Sequence, residues 1–395
     1  MINRIKELAH TWYPEVVAIR RHLHAHPELA FEEMATADFI ASKLDEYGIS
    51  YHKGIAKTGI AGILKGKKKG KRTVALRADM DALPIVEENK VVYKSCSEGV
   101  MHACGHDVHM ASLLGTARIL QELRKEFGGT VKLIFQPSEE KYPGGALAMI
   151  KAGVLEDPKP DVMLGQHVYP SLGAGFVGMK AGKYMASTDE FYVTVNGKGG
   201  HAATPDMIVD PILIASHIIV ALQQVVSRNA FPGMPTVVSV GRIVGDGRTN
   251  IIPDVVTFDG TVRTFDETWR KKIHQRIREI CTTLSKGMGG SASVRIASGY
   301  PYLENNEIVT GATRAFAMEF LGDKKVVELE TRMTAEDFSY FAQEVPSCFY
   351  RLGVRNEKKG ITSNLHTSTF DIDEDSLLTG MGLMAYLTIR HLAIG

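Results

Sequence analysis

Apolar residues recur at helical spacing over 12–26 and again over 32–47, and the His26–Pro27 pair breaks the run between them. Short β-rich runs follow at 60–64, 73–77, 130–135 and 161–165. Helix-like stretches at about 106–125 and 144–152 separate the later ones. Strands that alternate with helices predict an α/β layered domain with a mostly parallel sheet. Near residue 183 the pattern changes. A strand at 188–196 leads through Gly-Lys-Gly-Gly (197–200) to a helix at about 209–228. Strands at 236–244 and 254–264, a charged helix at 267–287 and a strand at 292–298 complete a β-α-β-β-α-β order. That is the ferredoxin-like split pattern, a unit of its own. Beyond Gly299-Tyr300-Pro301 the chain returns to helix-like runs (306–320, 335–343, 374–391) and a strand at 347–352. The reading is a discontinuous domain, 1–182 plus 299–395, with a second domain, 183–298, inserted into it.

Length agrees with this division, since 395 residues exceed one ordinary core. The net charge of +1 provides no long-range field for nucleic acid or an anionic membrane. No apolar run reads as long enough to span a bilayer. The basic run Lys65–Arg72 lies between two apolar segments and reads as a solvated hairpin turn. No signal-peptide pattern opens the chain, and four dispersed cysteines (96, 104, 281, 348) do not form a disulfide framework. Together these features predict a reduced, cytoplasmic setting.

One stretch concentrates chemistry: MHACGHDVHM, residues 101–110. His102, Cys104, His106 and His109 are all candidate ligands, and thiolate with imidazole suits zinc and its late first-row neighbours. Gly105 lets the backbone turn so that Cys104 and His106 aim at one point. The strand 130–135 runs into Gln136-Pro137-Ser138-Glu139-Glu140, and strand ends in open α/β sheets are where ligands bind. Of two adjacent glutamates in an extended segment, one can ligate a metal while the other faces its water; a surface acidic loop is the plain alternative. His167 closes another strand, and His366 lies in a polar loop; each alone reads as structural or merely exposed. Asp79, in the segment Arg77–Asp81, is placed to hydrogen-bond a ligating imidazole. His22, His24 and His26, spaced by two on a helix, face different directions and read as structural. Cys96, Cys281 and Cys348 read as ordinary buried small residues.

In order, the segments RADMDALP (77–84), MHACGHDVH, PSEE (137–140), GQH (165–167), GKGGHAATP (197–205), TNIIP (249–253) and LHT (365–367) resemble the M20 metallopeptidase family. More narrowly they resemble its aminoacylase/amidohydrolase branch, and the likeness covers nearly the whole chain. The resemblance implies two divalent metal ions (Zn, Mn, Co or Ni) held by Cys104, His106, Glu140, His167 and His366, with Glu139 as general base. It implies that His201 of the inserted domain reaches the site of a second subunit and stabilises the oxyanion, the inserted domain being both lid and homodimer contact. It places Asn250 as a contact for the substrate carboxylate, and Arg263 is a further candidate for that role. The implied reaction is hydrolysis of the amide bond of N-acyl-L-amino acids. A dipeptidase or aminopeptidase on the same scaffold, and a non-catalytic metal-binding protein, are the alternatives.

Overall fold

The computed structural model describes residues 1–394. The chain divides into two units. One comprises Met1–Tyr184, Glu304–Thr331 and Asp337–Gly395; the other comprises Met185–Leu303 and Arg332–Glu336.

An eight-stranded sheet organises the first unit. Its order is Ser50–Ile55, Gly59–Lys65, Gly128–Gln136, Lys68–Asp79, Val162–Gly173, Ser347–Arg355, Val177–Met179 and Val326–Glu328. The four central strands, from Gly128–Gln136 to Ser347–Arg355, are mutually parallel, and antiparallel pairings flank them. Each carries a short buried apolar run (Val74–Leu76, Leu133–Phe135, Val162–Leu164 and Cys348–Tyr350), because helices cover both faces. Gln166 donates to the Gly380 carbonyl in the helix Ser376–Ala393. The adjacent Gly165 faces the helix Phe338–Glu344, where a Cβ would stand 2.8 Å from the Phe338 ring. Neighbouring strand residues point to opposite faces, so these two helices lie on opposite sides of the sheet. Parallel strands end on one edge. There the register sets Asp79 beside Gln136 and Arg351 beside His167.

The second unit is a four-stranded antiparallel sheet, ordered Thr236–Val244, Val255–Thr264, Asp189–Asn196 and Ser291–Ser298. Phe191, Val193 and Val195 alternate into its core, with Ile214, Ile218 and Leu222 from one helix and Ile273 and Ile277 from another. Each helix starts on an aspartate cap. Asp210 accepts from the Ile212 and Leu213 amides, and Asp266 from Trp269.

Three expectations are corrected. The basic run is not a hairpin turn: Gly59–Lys65 and Lys68–Asp79 do not pair, because Gly128–Gln136 lies between them. The link crosses the start of that strand, and glycine is required there, since a Cβ on Gly128 would meet the Lys69 carbonyl at 2.2 Å. Cys96 is exposed, unlike Cys281 and Cys348. One segment, Pro211–Asn229, is long and apolar enough to cross a membrane by length and composition. Its buried residues, Ile214, Ala215, Ile218, Leu222 and Val225, belong to the core of the second unit. Its α-helical part, Pro211–Gln224, has 14 residues, about 21 Å against a hydrocarbon thickness of about 30 Å.

The N-terminal helix Ile2–Ala25 is tied to the helix His106–Glu122 by buried charge. Arg20 donates to Asp107 at 2.8 Å, and His24 Nδ1 lies 2.8 Å from the same carboxylate. His24 Nε2 meets Glu87 at 3.1 Å, so His24 is structural. Burial disfavours the imidazolium, but the Asp107 and Glu87 carboxylates prevail and raise its pKa. A raised histidine pKa stabilises the fold below about 6.5, and the contribution fades as pH climbs through the folded-state value. Unfolding of wild type and His24→Gln by denaturant should therefore show a stability gap that narrows as pH rises above about 6.5; a constant gap would contradict the assignment.

Candidate metal centre

Cys104 and His106 flank Gly105, whose φ of +80° opens the helix His106–Glu122. A Cβ at Gly105 would also lie 2.6 Å from Val168. Glutamates 139 and 140 follow the strand Gly128–Gln136. Ser138, at φ +50°, turns the chain there and is held by the Glu33 carboxylate on its amide at 2.8 Å. His366 sits at φ +59°, its amide donating to Ala103 at 2.8 Å. Left-handed conformations at non-glycine residues cost on the order of 1–3 kcal/mol and concentrate at functional sites.

These residues converge within the first unit. Cys104 Sγ is 3.5 Å from His167 Nε2 and 3.4 Å from His366 Nε2. His366 Nε2 is 3.1 Å from Glu140 Oε1, and His106 Nε2 is 4.0 Å from the same oxygen. Two groups of three donors share Cys104: one with His106 and His167, the other with Glu140 and His366. Glu139 stands beside His106 and Glu140, buried. Neither Glu139 nor its neighbours form a surface acidic loop.

The donors fit cations. His106 Nδ1 donates to the Asp81 carbonyl at 2.7 Å, so its Nε2 faces the cluster. That nitrogen is buried and has no hydrogen-bond partner. Burial pulls His106 down, but Asp79, Asp81 and Glu140 outweigh it and raise its pKa to about 10. Burial and the Glu140 and Glu139 carboxylates push the Cys104 thiol well up. Carboxylates that hold a proton on an imidazole and a thiol also favour a cation in the proton's place. Burial, then Arg351, pushes His167 well down, so it is a neutral imidazole that could donate to a cation. The hydrogen bond to Glu140 raises His366.

Two contributors escaped the sequence reading. Asp81 accepts from the amides of Glu139 and Glu140, both at 2.9 Å, and presents its carbonyl to His106. Glu33 braces Ser138 and accepts from Thr58. Neither sits in a pattern that distinguishes it from any other acidic residue. Asp79 hydrogen-bonds the imidazole of His109 (2.5 Å), and its other oxygen lies 3.4 Å from His106 Nε2. His102 is buried outside the two donor groups, and burial lowers its pKa to about 3.

In the second unit His201 and Asn250 meet. The strand Gly200–His201 pairs with Ile251–Ile252, and Ala202 donates to the Asn250 carbonyl at 3.1 Å. His201 and Asn250 are exposed. Arg263 is not brought to them: it lies at the far end of the strand Val255–Thr264 and bonds Thr188.

Residues 75–390 match the peptidase family M20/M25/M40. The chain belongs to that family. It is a metal-dependent hydrolase of amide bonds. It is 40% identical over 392 residues to thermostable carboxypeptidase 2 of Saccharolobus solfataricus, covering 98% of this chain and 97% of that protein. It is 43% identical over 298 residues to the N-acyl-L-amino acid amidohydrolase of Geobacillus stearothermophilus, covering 75% and 80%. Among solved structures, the Bacillus subtilis YXEP protein, described as a dinuclear metal-binding peptidase from the M20 family, superposes with a TM-score of 0.83. It is 34% identical, covering 97% of this chain and 99% of that one.

Proposed function

We propose that this protein hydrolyses N-acyl-L-amino acids to a free amino acid and a carboxylic acid. The observation that carries this is the convergence of Cys104, His106, Glu140, His167 and His366 with Glu139 at their side. These five residues would hold two divalent ions. Such ions, when bound, acidify water to a pKa of about 7 in the case of zinc and polarise a carbonyl oxygen. Glu139 takes the proton of the attacking water on its carboxylate and returns it to the leaving nitrogen. A thiol with three imidazoles accepts Zn, Mn, Co or Ni, and elemental analysis of the purified protein identifies which. Reliance on the Cys104 thiol, with all four cysteines free, is the basis for a reduced, cytoplasmic location.

Two of the relatives support this reading over an aminopeptidase. A carboxypeptidase and an N-acyl-amino-acid amidohydrolase both release a residue with a free carboxylate; an aminopeptidase requires a free amine on the other side of the bond. Asn250 is the side chain we assign to that carboxylate, with Arg263 as a more distant candidate. We further propose a homodimer through the second unit in which His201 completes the partner's site. Ile212, Leu213 and Val220 are exposed on the helix Pro211–Gln224, which supplies apolar surface for such a contact.

Glu139→Gln should lose activity by about 10²–10⁴-fold with its metal content unchanged. Wild-type turnover by this variant would end the mechanism. On a substrate panel, N-acetyl- and N-benzoyl-amino acids should be cleaved and dipeptide amides with a blocked C-terminus should not; the reverse preference establishes the aminopeptidase reading. Mixing inactive Glu139→Gln with inactive His201→Ala should restore part of the activity, since hybrid dimers carry one intact site. No recovery after subunit exchange would place His201 outside the partner's site.

A further inference from the structure

His109 is buried in the first turn of the helix His106–Glu122, three residues past a proposed ligand. With Asp79 and His106 it forms a group compact enough to hold a metal. Its hydrogen bonds point to another role. The Val168 amide donates to His109 Nε2 at 2.9 Å. An amide only donates, so Nε2 carries the lone pair and Nδ1 carries the proton. Nδ1 lies 2.5 Å from Asp79 Oδ1 and donates to it. Both ring nitrogens are engaged, and the lone pair that would reach a metal faces a backbone amide.

Val168 is the residue after His167. The strand Val162–Gly173 outruns its neighbour Lys68–Asp79, whose last pairing with it is Arg77 with Gly165. On that side the Val168 amide has no strand partner, and a buried amide needs an acceptor; His109 is that acceptor. The Val168 carbonyl in turn accepts from His167 Nδ1 at 2.8 Å, which leaves His167 Nε2 facing Cys104. The His109 and His167 rings lie 4.6 Å apart, centroid to centroid. Behind Asp79 stands Arg77, buried, donating to Asp79 at 2.7 Å, to Gln136 at 2.8 Å and to Asp337 at 3.0 Å. Asp79 is therefore fixed in place and in its charged form.

We propose that His109 is a positioning residue: held as the Nδ1–H tautomer by Asp79, it anchors the Val168 amide and so sets the ring of His167 for metal. The chain Arg77–Asp79–His109–Val168–His167 is the means by which a segment with no metal ligand of its own acts on the centre. The proposal rests on the metal-centre reading, and its test separates the two.

The experiment titrates metal-free protein with Zn²⁺ alone, followed by calorimetry, for wild type, His109→Leu and His109→Gln. The Leu variant keeps the bulk and loses the acceptor; the Gln side-chain oxygen restores one near the position of Nε2. Loss of an oriented partner of this kind costs about 10–100-fold in metal affinity. His109→Leu should show that loss and His109→Gln should recover most of it, with thermal unfolding confirming that both variants fold. Wild-type Zn²⁺ affinity in His109→Leu overturns the proposal, as does equal weakening in both variants. ¹⁵N NMR of the metal-free wild type, assigned by difference from His109→Gln, should show His109 protonated at Nδ1 only; protonation at Nε2 overturns the tautomer. If wild type binds no Zn²⁺, the metal-centre reading fails, and the positioning role fails with it even where the NMR signature is present.

Discussion

One buried carboxylate holds the centre in register. Asp81 spends both oxygens on consecutive amides, those of Glu139 and Glu140, and its carbonyl on His106 Nδ1. Three chemically distinct groups thereby share one reference point: a proposed base, a carboxylate donor and an imidazole donor. The amides of a chain leaving a buried strand must find acceptors, and Glu33 supplies one for Ser138. The two left-handed residues, Ser138 and His366, mark where the backbone departs from its preferred conformation to aim Glu139, Glu140 and His366 inward.

Charge is distributed around that frame with a clear division. Asp79 is held by the Arg77 guanidinium and the His109 Nδ1–H, and Asp107 by Arg20 and His24, so these buried carboxylates are engaged by groups of the protein itself. Near Cys104 the carboxylates of Glu139 and Glu140 instead act on a thiol and on imidazoles, pushing the Cys104 thiol up and His366 up. Carboxylates gathered around a thiol and imidazoles are what a cation site requires, and that composition separates this cluster from the structural ion networks nearby.

The second unit shows the limit of reading composition alone. Pro211–Asn229 has the apolar content of a membrane-crossing segment, yet Ile214, Ile218 and Leu222 recur at helical spacing and are buried against Phe191, Val193 and Val195. Its exposed apolar residues, Leu213 and Val220, lie off that stripe. Periodicity, not total hydropathy, carried the information about where the helix packs.

Sequence by itself determined the element types, the change of pattern near residue 183 and the candidate donors. These depend on local side-chain period, on glycine at a sharp turn and on rare residue types in close spacing, all of which are written in consecutive residues. Tertiary structure decided what depends on distant partners. It placed Gly128–Gln136 between two strands that are neighbours in sequence, which undid the expected hairpin. It chose among the histidines of residues 101–110: His106 turns its Nε2 to the cluster because Asp81 takes Nδ1, while His109 turns away because Val168 takes Nε2. Both are helix-start histidines three residues apart, and no local pattern distinguishes them. Which nitrogen of an imidazole is left to bind is set by the group that engages the other, and here that group is brought up by a strand from elsewhere in the chain.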